Sequence, residues 1–302
     1  MDDGVFGGDA FLTEEQLDKM IANVKKMGDN SRKRRKRHAE YQERKTQTWD
    51  TLPIPFVFDG NSGFSDEEKA LVREALLDIQ LKTCIGFQEL EAVPSSTAHL
   101  LYSKDNDASF CGLSNIGRTD NQNIIYLNIE ACYDNIIGIA AHETMHALGV
   151  QHEQVRSDRD DYVEIDYDNL DAQANDFYDT GDGSDVSTYG TPYDYYSIMH
   201  YSAYTGASDP DKPVMIPKKE PKAFFVEVMG QREKLSPKDA DLLKRMYCTP
   251  DCTDLDAACG YYATQGKCQD GAQNMIDSCP RSCGFCPVSV SEYAHESASK
   301  KK

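Results

Sequence analysis

The stretch that decides the fold reads His142-Glu143-Thr144-Met145-His146-Ala147-Leu148-Gly149-Val150-Gln151-His152. On a helix, His142 and His146 lie one turn apart and project from the same face, so both imidazoles can bind one tetrahedral zinc ion. Glu143 lies beside them, where its carboxylate can take a proton from a water at the metal. A straight helix cannot supply a third ligand, but Gly149 permits a sharp turn after which His152 reaches the metal.

The spacing of these residues is specific for a metal site. Five fixed positions, three of them histidine, coincide by chance in a chain of this length only about once in 10⁵. One buried histidine would have an ordinary packing explanation, whereas three at this spacing predict one Zn²⁺ per chain. Because three protein ligands leave a fourth position for water, the pattern is typical of a catalytic zinc centre.

Composition excludes several other classes of protein. The chain has 302 residues, of which 39% are hydrophobic, enough to form a sizeable core. The densest apolar stretch, residues 136–141, is far shorter than the ~18 residues of a membrane helix. A net charge of −19 argues against generic nucleic-acid binding. The acidic stretch 158–185 lacks EF-hand spacing, so we interpret it as solvated surface rather than a calcium site.

Local signals predict the main elements. Residues 52–58 are expected to form a strand, and their two prolines suggest a sheet edge. Ser65 and Glu68 form a capping box that starts a helix. Further helices are expected over residues 136–148 and 236–247, with a loop-rich region between them.

The zinc motif is one part of a wider resemblance. His-Glu-x-x-His-x-x-Gly-x-x-His followed by a methionine turn resembles the metzincin signature, and the turn candidate is residues 197–201, Ser-Ile-Met-His-Tyr. With Glu153 directly after the third histidine, and with segments 156–163 and 195–201, the chain resembles the astacin family of zinc endopeptidases over about residues 49–248. The resemblance implies an α+β fold of the two-lobed zincin type. A twisted sheet and two long helices would form the upper lobe, an irregular lower lobe would follow, and the substrate would lie in the cleft between them.

The resemblance also implies roles for individual residues. Met199 would underlie the zinc as a hydrophobic floor, while Tyr201 would be a fifth zinc ligand that turns aside to hydrogen-bond the oxyanion. Glu153 would lie near the N-terminus created by activation. Arg232 would line the pocket after the scissile bond, which leads us to expect an acidic substrate residue there.

The cysteines indicate an oxidising compartment. There are ten, and six of them fall between Cys252 and Cys286, a density typical of a disulfide framework. Spacing alone does not choose the pairs. The run from Cys279 to Cys286 resembles a ShK-type domain, whose channel-blocking Lys-Tyr pair is absent here, so we expect matrix or substrate docking. The two resemblances together imply the pairs Cys84–Cys248, Cys111–Cys132, Cys252–Cys286, Cys259–Cys279 and Cys268–Cys283.

The N-terminal region carries a strongly basic segment. Residues 25–45 hold ten Lys/Arg against three acids, including the run 32–37, Arg-Lys-Arg-Arg-Lys-Arg. Alone, the run fits a nuclear-localisation or polyanion patch, a solvated segment or a multibasic cut site equally well. Upstream, Phe6-Gly7-Gly8-Asp9 resembles the astacin pro-segment element whose aspartate occupies the open zinc position. With this element in front, the run is interpreted as a furin-type convertase site, and cleavage after Arg37 would remove Asp9.

These observations predict a secreted zinc endopeptidase that is made as a zymogen and acts on extracellular proteins. The expected segments are a pro-segment (1–37), a catalytic domain (38–250), a ShK-like domain (251–287) and a disordered tail (288–302). The first residues lack the pattern of a signal peptide, so we expect the true start to lie upstream. The alternatives are a cytosolic peptidase with reduced thiols and a non-catalytic adhesion or toxin-like scaffold, although a scaffold has no need for Glu143.

Overall fold

The computed structural model describes residues 5–6, 10–11, 48–108, 110–180, 187–248, 252–268, 275 and 278–286, the first two pairs as backbone only. Asp9, the basic run with Arg37, and the tail 288–302 lie outside the described residues. The strands are β1 (Val5–Phe6), β2 (Ala10–Phe11), β3 (Ile54–Phe58), β4 (Phe87–Glu89), β5 (His99–Lys104), β6 (Gly112–Asn115), β7 (Gln122–Leu127), β8 (Val163–Ile165) and β9 (Met215–Pro217). The helices are α1 (Asp66–Lys82), α2 (Ile129–Cys132), α3 (Ile136–Ala147), α4 (Lys222–Val228), α5 (Pro237–Tyr247) and α6 (Cys259–Thr264).

Seven strands form one sheet in the order β1-β2-β6-β7-β5-β3-β4. Strand β5 is parallel to both β3 and β7, and β6 is antiparallel to β7. Strand β3 pairs with β4 on one side and β5 on the other, so the prediction of an edge strand is wrong. The ladder between β3 and β5 begins with Phe56 opposite Leu100, one residue after Pro55, and the missing N–H of the proline therefore costs that ladder nothing.

The two long helices, α1 and α3, pack against each other, and α3 also packs against β6 and β7. Helix α1 begins with the predicted capping box, in which Ser65 Oγ accepts from the Glu68 N–H at 3.1 Å and the Glu68 carboxylate accepts from the Ser65 N–H at 2.6 Å. Its buried stripe is Val72, Ala75, Leu76 and Ile79, at the spacing of one helix face. The sheet and helices α1, α3 and α5 enclose one core of mainly aliphatic side chains, and we call this part of the molecule the upper lobe.

The lower lobe, residues 153–180 and 187–235, has little regular structure. Within these residues β8 and β9, which are distant in the chain, pair as a two-stranded antiparallel sheet, and the rest is α4, turns and short 3₁₀ segments around a second, tyrosine-rich cluster. Side chains link these turns. Arg159 Nη1 donates to the carbonyl oxygens of Gln154 and Tyr178 at 3.1 and 2.7 Å. The α+β architecture with two lobes agrees with the prediction.

All ten cysteines are paired, and the pairs are those that the resemblances imply. Cys84–Cys248 joins the end of α1 to the end of α5, and Cys111–Cys132 ties the start of β6 to α2. The other three bridges lie within residues 252–286, which we call the C-terminal module. Among the described residues, no helix has the length and apolar character needed to cross a membrane.

Candidate active site

Three buried histidines meet at the end of helix α3. The ligand atoms of His142, His146 and His152 lie within 4.8 Å of one another. The turn that brings His152 round depends on Gly149, whose φ of 95° lies in the left-handed region that favours glycine. The Gly149 N–H donates to the His146 carbonyl oxygen at 2.8 Å, so the turn is closed by the backbone itself.

Hydrogen bonds on the far side of the rings fix which nitrogen faces the centre. His142 Nδ1 bonds the Ile198 carbonyl oxygen at 2.7 Å, and His146 Nδ1 bonds the Val150 carbonyl oxygen at 2.8 Å. A carbonyl oxygen only accepts, so Nδ1 carries the proton and Nε2 keeps its lone pair for a metal. The Nε2 atoms of His146 and His152 are 3.1 Å apart, close to the roughly 3.3 Å expected for two nitrogens on one tetrahedral zinc. The three residues therefore fit Zn²⁺.

Glu143 lies between these histidines and strand β6. Its side chain is buried, and a Cβ added at Gly112, the first residue of β6, would overlap its carboxylate. The backbone of β6 thus passes directly against the carboxylate, and a larger residue at this position would have to displace it. Sequence reasoning missed Gly112, because a single glycine in a short strand carries no signal of a contact with a residue 31 positions away.

The methionine turn lies against the other side of the histidines. Met199 is buried, and its carbonyl oxygen accepts from the Glu153 N–H at 3.0 Å. The Tyr201 ring packs on the ring of His152 with centroids 4.4 Å apart. The structure therefore brings Met199 and Tyr201 to the histidine cluster, as the resemblance implies.

Asp239, which sequence reasoning missed, holds this turn in place. Its Oδ1 accepts from Ser197 Oγ at 2.6 Å, and its Oδ2 accepts from the Ile198 N–H at 2.9 Å. The same carboxylate closes the capping box of α5 by accepting from the Ser236 N–H. Burial raises the pKa of Asp239 to about 6. A signal existed in Ser236-Pro-Lys-Asp239, but it predicts a helix start and not the contact with Ile198.

Glu153 sits in a buried polar network. Its Oε1 accepts from Arg156 Nη1 at 3.1 Å and from the Asp194 N–H at 2.8 Å. Burial raises the pKa of Glu153 to about 8, although Arg156 opposes the shift. The residue also lines a cavity of about 60 Å³, together with Thr48 and Gly149.

Arg232 and the N-terminal strands complete the surroundings of the site. Arg232 Nη1 donates to the His200 carbonyl oxygen at 3.0 Å, which places the guanidinium beside the residue that precedes Tyr201. Strand β2 runs parallel to β6, with Ala10 opposite Ser114. Asp9, the residue before Ala10, is outside the described residues.

Comparisons with known proteins agree with this geometry. The family model for the astacin peptidases matches residues 41–248, and the ShK domain-like model matches residues 251–286. Zinc metalloproteinase nas-9 of Caenorhabditis elegans is 42% identical, covering 94% of this chain and 53% of its own length. Zinc metalloproteinase nas-10 of the same organism is 40% identical, covering 94% and 54%. The chain thus spans about half the length of these curated relatives.

A solved structure gives the same result for the fold. High choriolytic enzyme 1, a hatching enzyme zinc-protease from the medaka fish Oryzias latipes, superposes with a TM-score of 0.58 at 27% identity. The match covers 69% of this chain and 98% of that one.

Proposed function

The chain belongs to the astacin family of peptidases, and from this premise we propose that it is a zinc endopeptidase cleaving proteins or peptides. The observation that carries the proposal is the convergence of three buried imidazoles beside the carboxylate of Glu143. A purely structural or adhesive role would not require that carboxylate.

The proposed mechanism divides the work between the two lobes. His142, His146 and His152 would hold the zinc ion, which when bound would supply Lewis-acid chemistry to the scissile carbonyl and to water. Glu143 takes the proton from the attacking water and returns it to the leaving amine. The Tyr201 hydroxyl donates to the carbonyl oxygen as negative charge develops on it. Met199 packs beneath the rings and keeps their positions fixed.

We propose that the substrate binds along strand β6, at the edge of the sheet. Strand β6 passes against Glu143, and an extended peptide bound along β6 would bring its backbone to the carboxylate. Such strand addition is a common way to bind peptides, because main-chain hydrogen bonds give affinity for any sequence. Strand β2 already occupies this edge, so substrate and N-terminal segment would compete for it.

This competition supports the zymogen proposal. The N-terminal segment pairs with β6 next to the catalytic carboxylate, and Asp9 directly precedes the paired residue Ala10. In our proposal Asp9 fills the open zinc position, and a convertase-like protease releases it by cutting after Arg37. The new N-terminus would then approach Glu153 and its cavity. Five disulfides with no free thiol support secretion of the protein.

The first experiment compares three samples on an unfolded protein substrate: wild type cut after Arg37, uncut wild type, and cut Glu143→Ala. We expect hydrolysis in the cut wild type alone, which would establish both the peptidase and its activation. Zinc content is measured in each. Silence of all three samples with zinc bound would instead favour the non-catalytic scaffold.

Substrate preference is proposed to depend on Arg232. Its guanidinium lies next to the His200 carbonyl, beside the turn that carries Tyr201, and an acidic substrate side chain after the scissile bond would complement its charge. A survey of cleavage sites in denatured proteins should show enrichment of Asp and Glu at that position, and Arg232→Gln should remove it. An unbiased survey with wild type would refute the assignment.

A further inference from the structure

The C-terminal module lies directly against the catalytic domain. Its contact surface there is residues 80–86, at the end of α1, which we call the seat. Ile85 of the seat forms an antiparallel β-bridge with Phe285. Gln80 Nε2 donates to the Ser282 carbonyl oxygen at 2.8 Å. Cys286 belongs to the core of the upper lobe, so the module shares apolar packing with the domain.

Two glycines make the closest contact. A Cβ added at Gly86 would lie 2.5 Å from Gly284 Cα and 2.9 Å from the Cys283 carbonyl oxygen. Its three nearest atoms all belong to the module. Gly86 is not in the left-handed region, so its own backbone would accept alanine. The need for glycine at this position therefore comes from the module and not from the catalytic domain.

The seat supports several parts of the catalytic domain. The Gly86 carbonyl oxygen accepts from the Ile54 N–H at 2.8 Å, at the start of β3. Cys84 is joined to Cys248 at the end of α5. Lys82 Nζ donates to the Leu235 carbonyl oxygen at 3.1 Å, three residues after Arg232. A partner bound to the seat would restrain the sheet, helix α5 and the loop that holds Arg232 and Leu235 together.

The module is built to present its side of the contact without rearrangement. The Asp254 carboxylate accepts from the backbone N–H groups of Arg281 and Ser282 at 2.9 and 3.0 Å, and from Ser282 Oγ at 2.6 Å. Three disulfides fix the same small module. The Ser282 carbonyl is thus already oriented for Gln80, and little conformational entropy is lost on docking.

We propose that the docking partner of this module is its own catalytic domain, and that the module is an intramolecular clamp that raises the stability of that domain. This role is independent of the proposed peptidase activity. The sequence predicted docking to matrix or substrate. In the structure, by contrast, the module surface that carries Ser282 and Phe285 contacts the catalytic domain.

The sole tryptophan provides a selective probe. Trp49 is 1% exposed in the catalytic domain, and the module contains no tryptophan, so fluorescence reports unfolding of the catalytic domain alone. The test compares thermal unfolding of the full, zinc-loaded chain with three variants. Gly86→Ala pushes the module off the seat, and Gln80→Ala removes one hydrogen bond to it. Gly260→Ala, where an added Cβ meets nothing within 4 Å, is the matched control in the module.

We expect Gly86→Ala to lower the Trp49 midpoint by about 4 °C or more. Gln80→Ala should lower it by about 2 °C, even though alanine is the better helix former. Gly260→Ala should not lower it. Midpoints for both seat variants within about 1 °C of wild type would overturn the clamp and indicate an independent, tethered module. If Gly86→Ala fails to fold, Gln80→Ala still decides the question.

Discussion

The upper lobe packs mainly aliphatic side chains of a sheet and its helices, whereas the lower lobe packs tyrosines beside the buried pair Arg156 and Glu153. In the upper lobe, backbone groups are paired within strands and helices. The described part of the lower lobe has few such ladders, so side chains such as Arg159 satisfy its carbonyl groups instead. Chain without regular structure can therefore be as well buried as helices and strands, provided that polar side chains supply the missing backbone hydrogen bonds.

The active site combines both kinds of structure. Helix α3 supplies Glu143 and two histidines from the regular lobe, while Tyr201 comes from the irregular one. Glu143 and two of the three histidines are thus on a helix, whereas His152 and Tyr201 follow turns, and in our proposal Tyr201 is the group that moves during catalysis. This division can be tested from both sides.

The largest expected effect is on catalysis, and it compares Glu143 on helix α3 with Tyr201 on a turn of the lower lobe. Glu143→Ala should lower kcat/KM by roughly 10³-fold or more, because the general base is lost. Tyr201→Phe should lower it by about 10²-fold, because one donor to the oxyanion is lost. Both are measured on the cut enzyme with zinc content determined. An active, zinc-loaded Glu143→Ala would contradict the assignment of the base.

The next effect compares how the two lobes are stabilised. Arg156→Ala removes the guanidinium that donates to Glu153, to Asp158 and to the Thr191 carbonyl oxygen, and should cost about 1–3 kcal/mol because buried acceptors lose their donor. Leu100→Ala, in the aliphatic core, should cost about 2–5 kcal/mol through its cavity. The distinguishing variant is Arg156→Lys, which should recover only part of the loss because an ammonium cannot reproduce the fork that bonds both Glu153 and Asp158.

Urea unfolding measures these costs. Full recovery of stability in Arg156→Lys would show that charge alone, and not hydrogen-bond geometry, stabilises the lower lobe.

The smallest effect concerns Asp239, which joins α5 of the upper lobe to the methionine turn. Its folded pKa of about 6 lies above the usual value, so the folded state binds the proton more tightly than the unfolded state. Wild-type stability should therefore fall relative to Asp239→Asn as pH rises from about 4 to 6, and change little above that. Unfolding free energies of both proteins over this range test this, since the pH dependence of zinc binding cancels in the difference. A constant difference would contradict the raised pKa.

The sequence predicted the parts of the molecule that have local signals. The capping box of Ser65 and Glu68, the zinc motif on α3 and the helix starting at Ser236 each depend on residues within one or two turns. Strands β4 and β6 were missed because they are short and lack alternation. The prediction that β3 is an edge strand was wrong, because a proline lacks only its own N–H and the neighbouring residues can still pair with strands on both sides.

Contacts between distant segments were beyond such reasoning. Gly112 against Glu143, and Asp239 against Ile198, arise only when the sheet and the helices have assembled. Asp9, Arg37 and the domain boundaries remain predictions, as do the catalytic roles of Glu143 and Tyr201 and the place of Arg232 in the substrate pocket.

The pairing of β2 with β6 has a consequence for how activity would depend on dilution. While both strands belong to one chain, the connecting chain keeps the effective concentration of β2 near β6 in the millimolar range. Dilution of the protein therefore does not reduce the pairing of β2 with β6. After a cut between them, β2 is a separate peptide whose occupancy falls as the sample is diluted. Cleaved enzyme kept concentrated would then remain partly inhibited by its own fragment, and its specific activity would rise on dilution.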